Sequence, residues 1–216
     1  MKKRKQFSIK GLADYMAATP GRQRTILRHH KYPSEDEAAA KTLYYQPARE
    51  RIVRHHQHGH PVGWLSDQAD RLDEQAAASD SDGRARRLRN NAKALRAYAE
   101  NFGNRKFEIL GPVRLGLRYA DVRISAAPDL HVREKGVQKI IKLEFGAEEP
   151  DEITVKVISQ GLFEAAQREG FAFRAADVLY LDVPRGKTHR GARLGARLSG
   201  DIEATCLNIS AIWDTL

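Results

Sequence analysis

With a single cysteine, Cys206, the chain has no material for an internal disulfide framework, a cysteine-ligated zinc site or an iron–sulfur cluster. Long hydrophobic runs are missing as well. No apolar stretch approaches the ~20 residues of a membrane-spanning helix, so no membrane partner is expected. The basic N-terminus runs into no apolar segment, so a secretory signal is not expected, and a cytoplasmic location is the default expectation. A Walker loop, a dinucleotide fingerprint and a Ser/His/Asp arrangement are also missing; the glycine-rich pieces do not stand between a strand and a helix. What is present is a chain of 216 residues, 41% hydrophobic and 30% charged, enough for one good core or a core plus a smaller unit.

Acid is scarce where base is plentiful. Residues 1–60 hold 13 Lys/Arg against 5 Asp/Glu, whereas the remaining 156 hold 24 against 23. Nearly all of the formal +9 therefore belongs to the first quarter, which also carries six of the eight histidines. A localised positive field is the footprint of a polyanion partner, and DNA is the expected one. Arg22, Arg24 and Arg28 are its candidate phosphate contacts.

The first half reads as helices. Ile9, Leu12, Tyr15 and Met16 fit one amphipathic face that Thr19-Pro20-Gly21 interrupts, and a short helix over 23–29 is predicted next. Ser34 and Glu37 form a capping-box signature for a helix running towards His56, which Pro47 should kink or divide. Trp64, Leu65, Gln68 and Leu72 predict another helix before the polar linker 79–83. Leu88, Ala92, Leu95, Ala99 and Phe102 mark a long helix over 84–102, with Gly103 as its stop. We expect residues 1–78 to form a separate or semi-separate basic helical module and 84–216 an α/β core.

Alternation then takes over. Val113, Leu115 and Leu117, then Val122 and Ile124, predict strands, and "QKIIKLEF" predicts another after the turn "REKG". A helix over 153–169 follows, then the near-continuously apolar strand "DVLYLDV". Residues 184–198 read as a basic loop. Its Arg185, Lys187, Arg190, Arg193 and Arg197, interleaved with glycines, are further phosphate-contact candidates. Asp201 is expected to cap a last helix with Ile202, Cys206, Ile209 and Trp213 as its stripe. The strands of 105–183 should make one mixed sheet of about four.

Chemistry concentrates in "PDLHVREKGVQKIIKLEF", residues 128–145. Strand side chains alternate with period two, so Lys142 and Glu144 share a face, and a turn at 133–136 carries that face beside Asp129. Two carboxylates and a lysine are what a metal-dependent phosphodiesterase needs: the ion polarises the phosphoryl oxygen and generates hydroxide. An ordinary hairpin with three solvated charges has the same pattern. Asp121 is an alternative acid, Glu100 a further carboxylate and Lys156 a substitute cation. In "HHQHGH" only His56 and His60 are four apart, and His60 falls in the loop "HGHPVG", so no i, i+4 pair lies within a helix and these histidines read as surface residues near a basic patch.

The order helix, three strands, helix, strand, with Pro128-Asp129 before a charged strand, resembles the PD-(D/E)XK nuclease superfamily, and within it the RecB-type and CRISPR-associated exonucleases. Ser8, Leu12 and Tyr15 approximate the helical opening of those proteins, and Gln160 in "ISQGLFEAA" resembles their glutamine motif. The resemblance implies a restriction-endonuclease-like αβββαβ core, Mg²⁺ or Mn²⁺, and cleavage of single-stranded or branched DNA. It also implies Asp129 and Glu144 as metal ligands, completed by His55 or His56, with Lys142 and Gln160 in the catalytic set. Two departures stand against it. The cluster-binding cysteines of that branch are absent, and the family's acid-x-lysine strand is here Lys142-x-Glu144, the two types exchanged. The alternative is a catalytically inactive nuclease fold within a larger nucleic-acid assembly, or a helix-turn-helix regulator built on "GLADYMAATPGRQRTILR".

Overall fold

The computed structural model describes residues 5–33, 44–192 and 195–216. The Ser34/Glu37 capping box and Arg193 lie outside the described residues. Strand β1 (Gln6–Ser8) leads into α1 (Ile9–Ala17), whose first turn is capped by the Ser8 hydroxyl accepting from the Gly11 N–H. Helices α2 (Pro20–Lys31), α3 (Gln46–Gln57), α4 (Val62–Ala77) and α5 (Asp82–Phe102) follow. Pro20 and Pro47 both stand in a first turn, where the missing N–H costs nothing. Pro47 therefore stands in the first turn of the helix that reaches His56, and the stretch before residue 44 that it was expected to kink or divide lies outside the described residues.

The strands are β2 (Glu108–Ile109), β3 (Gly116–Tyr119), β4 (Val122–Ser125), β5 (Leu130–Glu134) and β6 (Val137–Glu144). They are followed by α6 (Glu152–Arg168), β7 (Val178–Asp182), β8 (Lys187–Arg190) and α7 (Gly195–Ile212). The chain is thus a mixed α/β protein. Its strands form two sheets: β2-β5-β6-β7-β8 and β1-β4-β3. The single sheet expected over 105–183 is corrected here, because alternation shows which face of a strand is buried but not which neighbour it pairs with. The basic stretch 184–198 is corrected as well. It contains edge strand β8 and the start of α7, so Asp201 lies inside that helix and does not cap it.

The β5–β6 hairpin closes on Lys135 (φ 50°) and Gly136 (φ 80°), both left-handed, the geometry that matches strand twist in a two-residue turn. Strands β6 and β7 run parallel with Lys142 opposite Tyr180 and Glu144 opposite Asp182. Helix α6 makes their crossover. One face of this sheet presents Leu130, Val132, Ile141, Leu143, Leu179 and Leu181 to Ile52, Leu65, Leu88, Leu95 and Tyr98 of α3–α5. The other presents Ile140, Val178 and Tyr180 to α6, α1, the small sheet and the Ile202/Cys206/Ile209/Trp213 stripe.

The N-terminal segment is not set apart from this core. Phe7 and Ile124 are register partners in the parallel β1–β4 pair, and Ile9, Leu12 and Ala13 are buried with Val157, Ile158 and Leu162. The described residues of 1–78 therefore divide, β1 and α1 packing on one face of the main sheet and α3–α4 on the other.

Candidate functional site at the ends of the parallel strands

Ligand sites in α/β sheets gather beyond the carboxyl ends of parallel strands, where loops diverge. Lys142, Glu144 and Tyr180 approach that end of β6 and β7 from one face. Asp129 joins them because its N–H donates to the Ile141 carbonyl at 2.8 Å, which continues the β5–β6 ladder by one residue.

Asp129 is 8% exposed and fully engaged. Its Oδ2 accepts the Leu143 N–H at 2.7 Å and lies 3.2 Å from Lys142 Nζ, while Arg49 Nε of α3 stands 2.9 Å from Oδ1. The Lys142 ammonium also donates to the Ala127 carbonyl at 3.1 Å. Arg49 is steadied from above by Phe145, whose ring centre is 5.7 Å from the guanidinium carbon. Tyr45 stacks on the same ring at 5.0 Å.

Glu144 has a different set of partners. Its Oε1 accepts the N–H groups of Phe145 and Gly146 at 3.0 and 2.8 Å. Its Oε2 accepts the Tyr180 hydroxyl at 3.0 Å and the ammonium of Lys10, which reaches in from α1. Burial alone would raise the Glu144 pKa, but Lys10, the Gly146 N–H and Tyr180 together hold it below the usual carboxylate range. The Tyr180 phenol is pushed far up by burial and by Glu144. Asp14, exposed on α1, still has its pKa raised by the protein crowded around its carboxyl, then by Glu144 and Asp151, against the pull of Lys10.

The divalent ion implied by the nuclease resemblance needs converging carboxylates with free oxygens. Asp129 and Glu144 share a sheet face, but each already holds a cation of this chain. Among the described residues, no group of three or more His, Cys, Asp or Glu side chains is placed to hold a metal ion. His56, expected to complete the set, lies instead in the helical layer. It is buried, shares a hydrogen bond of 2.8 Å with the Tyr98 hydroxyl, and packs on Phe107 at 4.8 Å. Burial first, then His55 and Arg105, push its pKa down to about 3. His55 donates to the Gly103 carbonyl at 3.1 Å, and His60 stacks on Trp64 at 4.3 Å. As placed, these residues do not fit such an ion.

The other candidates divide. Gln160 is drawn into a separate buried network, donating to Glu164 at 2.8 Å and to the Ser199 hydroxyl at 3.1 Å. Glu164 also accepts the Tyr119 hydroxyl at 2.6 Å. Arg185 donates to both oxygens of buried Asp182 and to the Ala147 carbonyl, and Lys187 pairs with Glu149. These two phosphate-contact candidates are thus engaged within their own loop. Arg190 is exposed on β8, as are Arg22, Arg24 and Arg28 on α2. Asp121 pairs with Lys5, Lys156 with Glu152, and Glu100 is exposed on α5.

Lys10, Arg49 and Tyr180 escaped the sequence reading. Tyr180 had a signal, since it stands two residues before Asp182 on a strand whose parallel pairing to β6 was foreseeable. Lys10 and Arg49 had none, because each meets its carboxylate only through tertiary packing. No family model and no curated protein sequence matches the chain, so the site is read from its own geometry.

Proposed function

We propose that this chain is a nucleic-acid-binding protein built on a restriction-endonuclease-like αβββαβ core whose acidic centre is neutralised from within. One observation carries the reading: Asp129 is held by Arg49 and Lys142, and Glu144 by Lys10. A bare pair of carboxylates repels a phosphate backbone unless a metal stands between them. Here side-chain cations occupy that role, so a phosphate can approach the sheet end without an ion. The exchange of acid and lysine on β6 agrees with this, because Lys142 reaches Asp129 and leaves Glu144 to Lys10. The basic first quarter supplies long-range attraction.

The test is a pair of measurements on the full chain. Fluorescence anisotropy with single-stranded, branched and duplex oligonucleotides across a salt series should show binding that weakens steeply with salt. Incubation of the same labelled DNA with Mg²⁺ or Mn²⁺ should leave it intact. Absence of binding to any of these nucleic acids would sink the proposal. Mn²⁺-dependent cleavage lost in Asp129→Asn would replace it with the nuclease reading, for which the shared face of Asp129, Lys142 and Glu144 speaks.

A further inference from the structure

Helix α7 is apolar on two sides. Its inner stripe, Ile202, Cys206, Ile209 and Trp213, is buried in the core on one face of the main sheet. A surface helix normally turns charge outward opposite such a stripe. Here the outer line is Gly200, Ala204, Leu207 and Ala211, all exposed, with Leu207 52% exposed. Steps of four, three and four residues are the spacing of a coiled-coil seam, along which one helix packs lengthwise on another. Gly200 adds an independent observation. It stands inside the helix, where glycine costs about 1 kcal/mol relative to alanine, and a Cβ there would meet nothing within 4 Å. The chain's own packing has no use for that missing side chain, whereas a second helix seated on the seam does. The next seam positions outward are Arg197 and, in the 3₁₀ turn that ends α7, Asp214. They are exposed, opposite in charge, and make no ion pair among the described residues.

The order of these residues indicates the occupant. Laid antiparallel on a copy of itself, the seam brings Ala204 to Leu207 of the other copy, Gly200 to Ala211, and Arg197 to Asp214. Each layer sets a smaller side chain against a larger one or a cation against an anion, and each occurs twice, as a two-fold axis requires. A parallel pairing sets Arg197 on Arg197 and Asp214 on Asp214. In the antiparallel register the flanking acids Asp201 and Glu203 fall across from Asn208 and Ser210, so no acid of the helix is set against another. We propose that the outer face of α7 is a self-association surface, and that its partner is α7 of a second copy of this chain, packed antiparallel about an axis between Ala204 and Leu207. This surface is independent of the nucleic-acid reading above. It gives Arg197, a phosphate-contact candidate by sequence, a carboxylate partner instead. The seam from Arg197 to Asp214 is about 25 Å long. A single helix pair of that length falls short of the ~1,600 Å² of a standard interface, so the dimer is a weak one that forms in the micromolar range.

Sedimentation velocity of the full chain over a concentration series measures the dimer, and circular dichroism checks that each variant is folded. Wild type should pass from monomer to dimer as its concentration rises through the micromolar range. Gly200→Gln fills the open space on the seam. It should stay monomeric throughout, while its thermal stability at low concentration holds or rises with the gain in helix propensity. Arg197→Asp and Asp214→Arg each bring like charges together twice per dimer and should weaken association about tenfold. The combined variant Arg197→Asp, Asp214→Arg restores opposite charges across the seam and should associate as wild type does. A wild type that stays monomeric up to millimolar concentration would overturn the proposal. So would a dimer that Gly200→Gln leaves unchanged, since that dimer forms through another face. Single reversals without effect, or a combined reversal as weak as the singles, would overturn the antiparallel pairing with a second α7.

Discussion

Lys142 and Asp129 face each other across the β5–β6 pair, Nζ 3.2 Å from Oδ2, with Arg49 closing the other side of the carboxylate. The arrangement expected from the sequence was two carboxylates facing a metal ion, with the lysine beside it on the same face. Here the lysine is inward and committed, and the acid two residues on is answered from a different helix. The centre is electrically closed, and a closed centre makes its residues matter for stability.

Asp129→Asn should therefore act first on folding. Removing the charge leaves Arg49 and Lys142 facing each other over a site only 8% exposed, and breaking such a pair costs about 2–3 kcal/mol once partial exposure of the two cations is allowed for. For a chain of this size that is a fall in Tm of roughly 5–10 °C. Thermal unfolding of Asp129→Asn, Lys142→Met and the double variant checks it. The double variant should recover part of the loss, and strict additivity would mean that the two residues do not interact.

How much of this was legible follows from the range of each interaction. The long helix ending at Phe102 and the β5–β6 hairpin carry their signals locally, in apolar spacing and in a turn sequence. The shared face of Lys142 and Glu144 with Asp129 also follows from strand period alone. Strand β1 was invisible, because three residues, Gln6 to Ser8, pair with Arg123 to Ser125 more than a hundred positions away. Strand β8 was hidden by its own composition: Lys187 and Arg190 look like loop charges, yet charge is how an exposed sheet edge avoids pairing with another chain. The partner of Glu144 was hidden for the same reason as β1, since Lys10 is distant in sequence and ordinary in context.

Gly161 tests whether the N-terminal helix is part of the core. A Cβ at this position would lie 2.3 Å from Ile9 Cδ1 and 3.0 Å from its Cγ1. Ile9 is 2% exposed and has little room to yield. Gly161→Ala gains helix propensity in α6 but overpacks the α1–α6 contact, with a net loss of about 1–3 kcal/mol expected. Urea unfolding gives the value. If stability is unchanged or rises, α1 is held less firmly than this packing requires.

Acid stability should be set in two windows. His56 titrates near 6.5 when unfolded and near 3 when folded, so the unfolded chain binds more protons between those values. Stability therefore falls as pH drops below about 6.5, by a few kcal/mol in total, and this loss is complete near pH 3. Glu134 adds a second window. Burial alone would raise its pKa, but Arg105 and Lys139 take it down from 4.5 to about 2, so its contribution is present above 4.5 and lost as pH falls towards 2. His56→Gln should flatten the dependence between pH 6.5 and 4.5 and leave the lower limb in place. Equilibrium unfolding at stepped pH measures both, and a His56→Gln curve parallel to wild type would mean that His56 is not buried neutral.

Lys10→Met isolates the cation that comes from outside the sheet. Glu144 then keeps only Tyr180 and the two backbone N–H donors, and the burial that opposes its charge is less fully offset. The lysine is 46% exposed, so screening limits the loss of stability at neutral pH to about 1–2 kcal/mol. The wild-type Glu144 pKa is lowered, so its contribution holds above the ordinary carboxylate range and fades as pH falls. In Lys10→Met that acid-dependent part should shrink. Binding gives the sharper readout, because the variant exposes an uncompensated carboxylate at a site proposed to meet phosphate. Oligonucleotide affinity should drop in Lys10→Met and return towards wild type in Lys10→Met with Glu144→Gln, where the charge balance is restored. If the double variant binds as weakly as the single, Lys10 touches the phosphate itself and is more than the partner of Glu144. Anisotropy titrations of the three proteins at one fixed salt concentration distinguish the two outcomes.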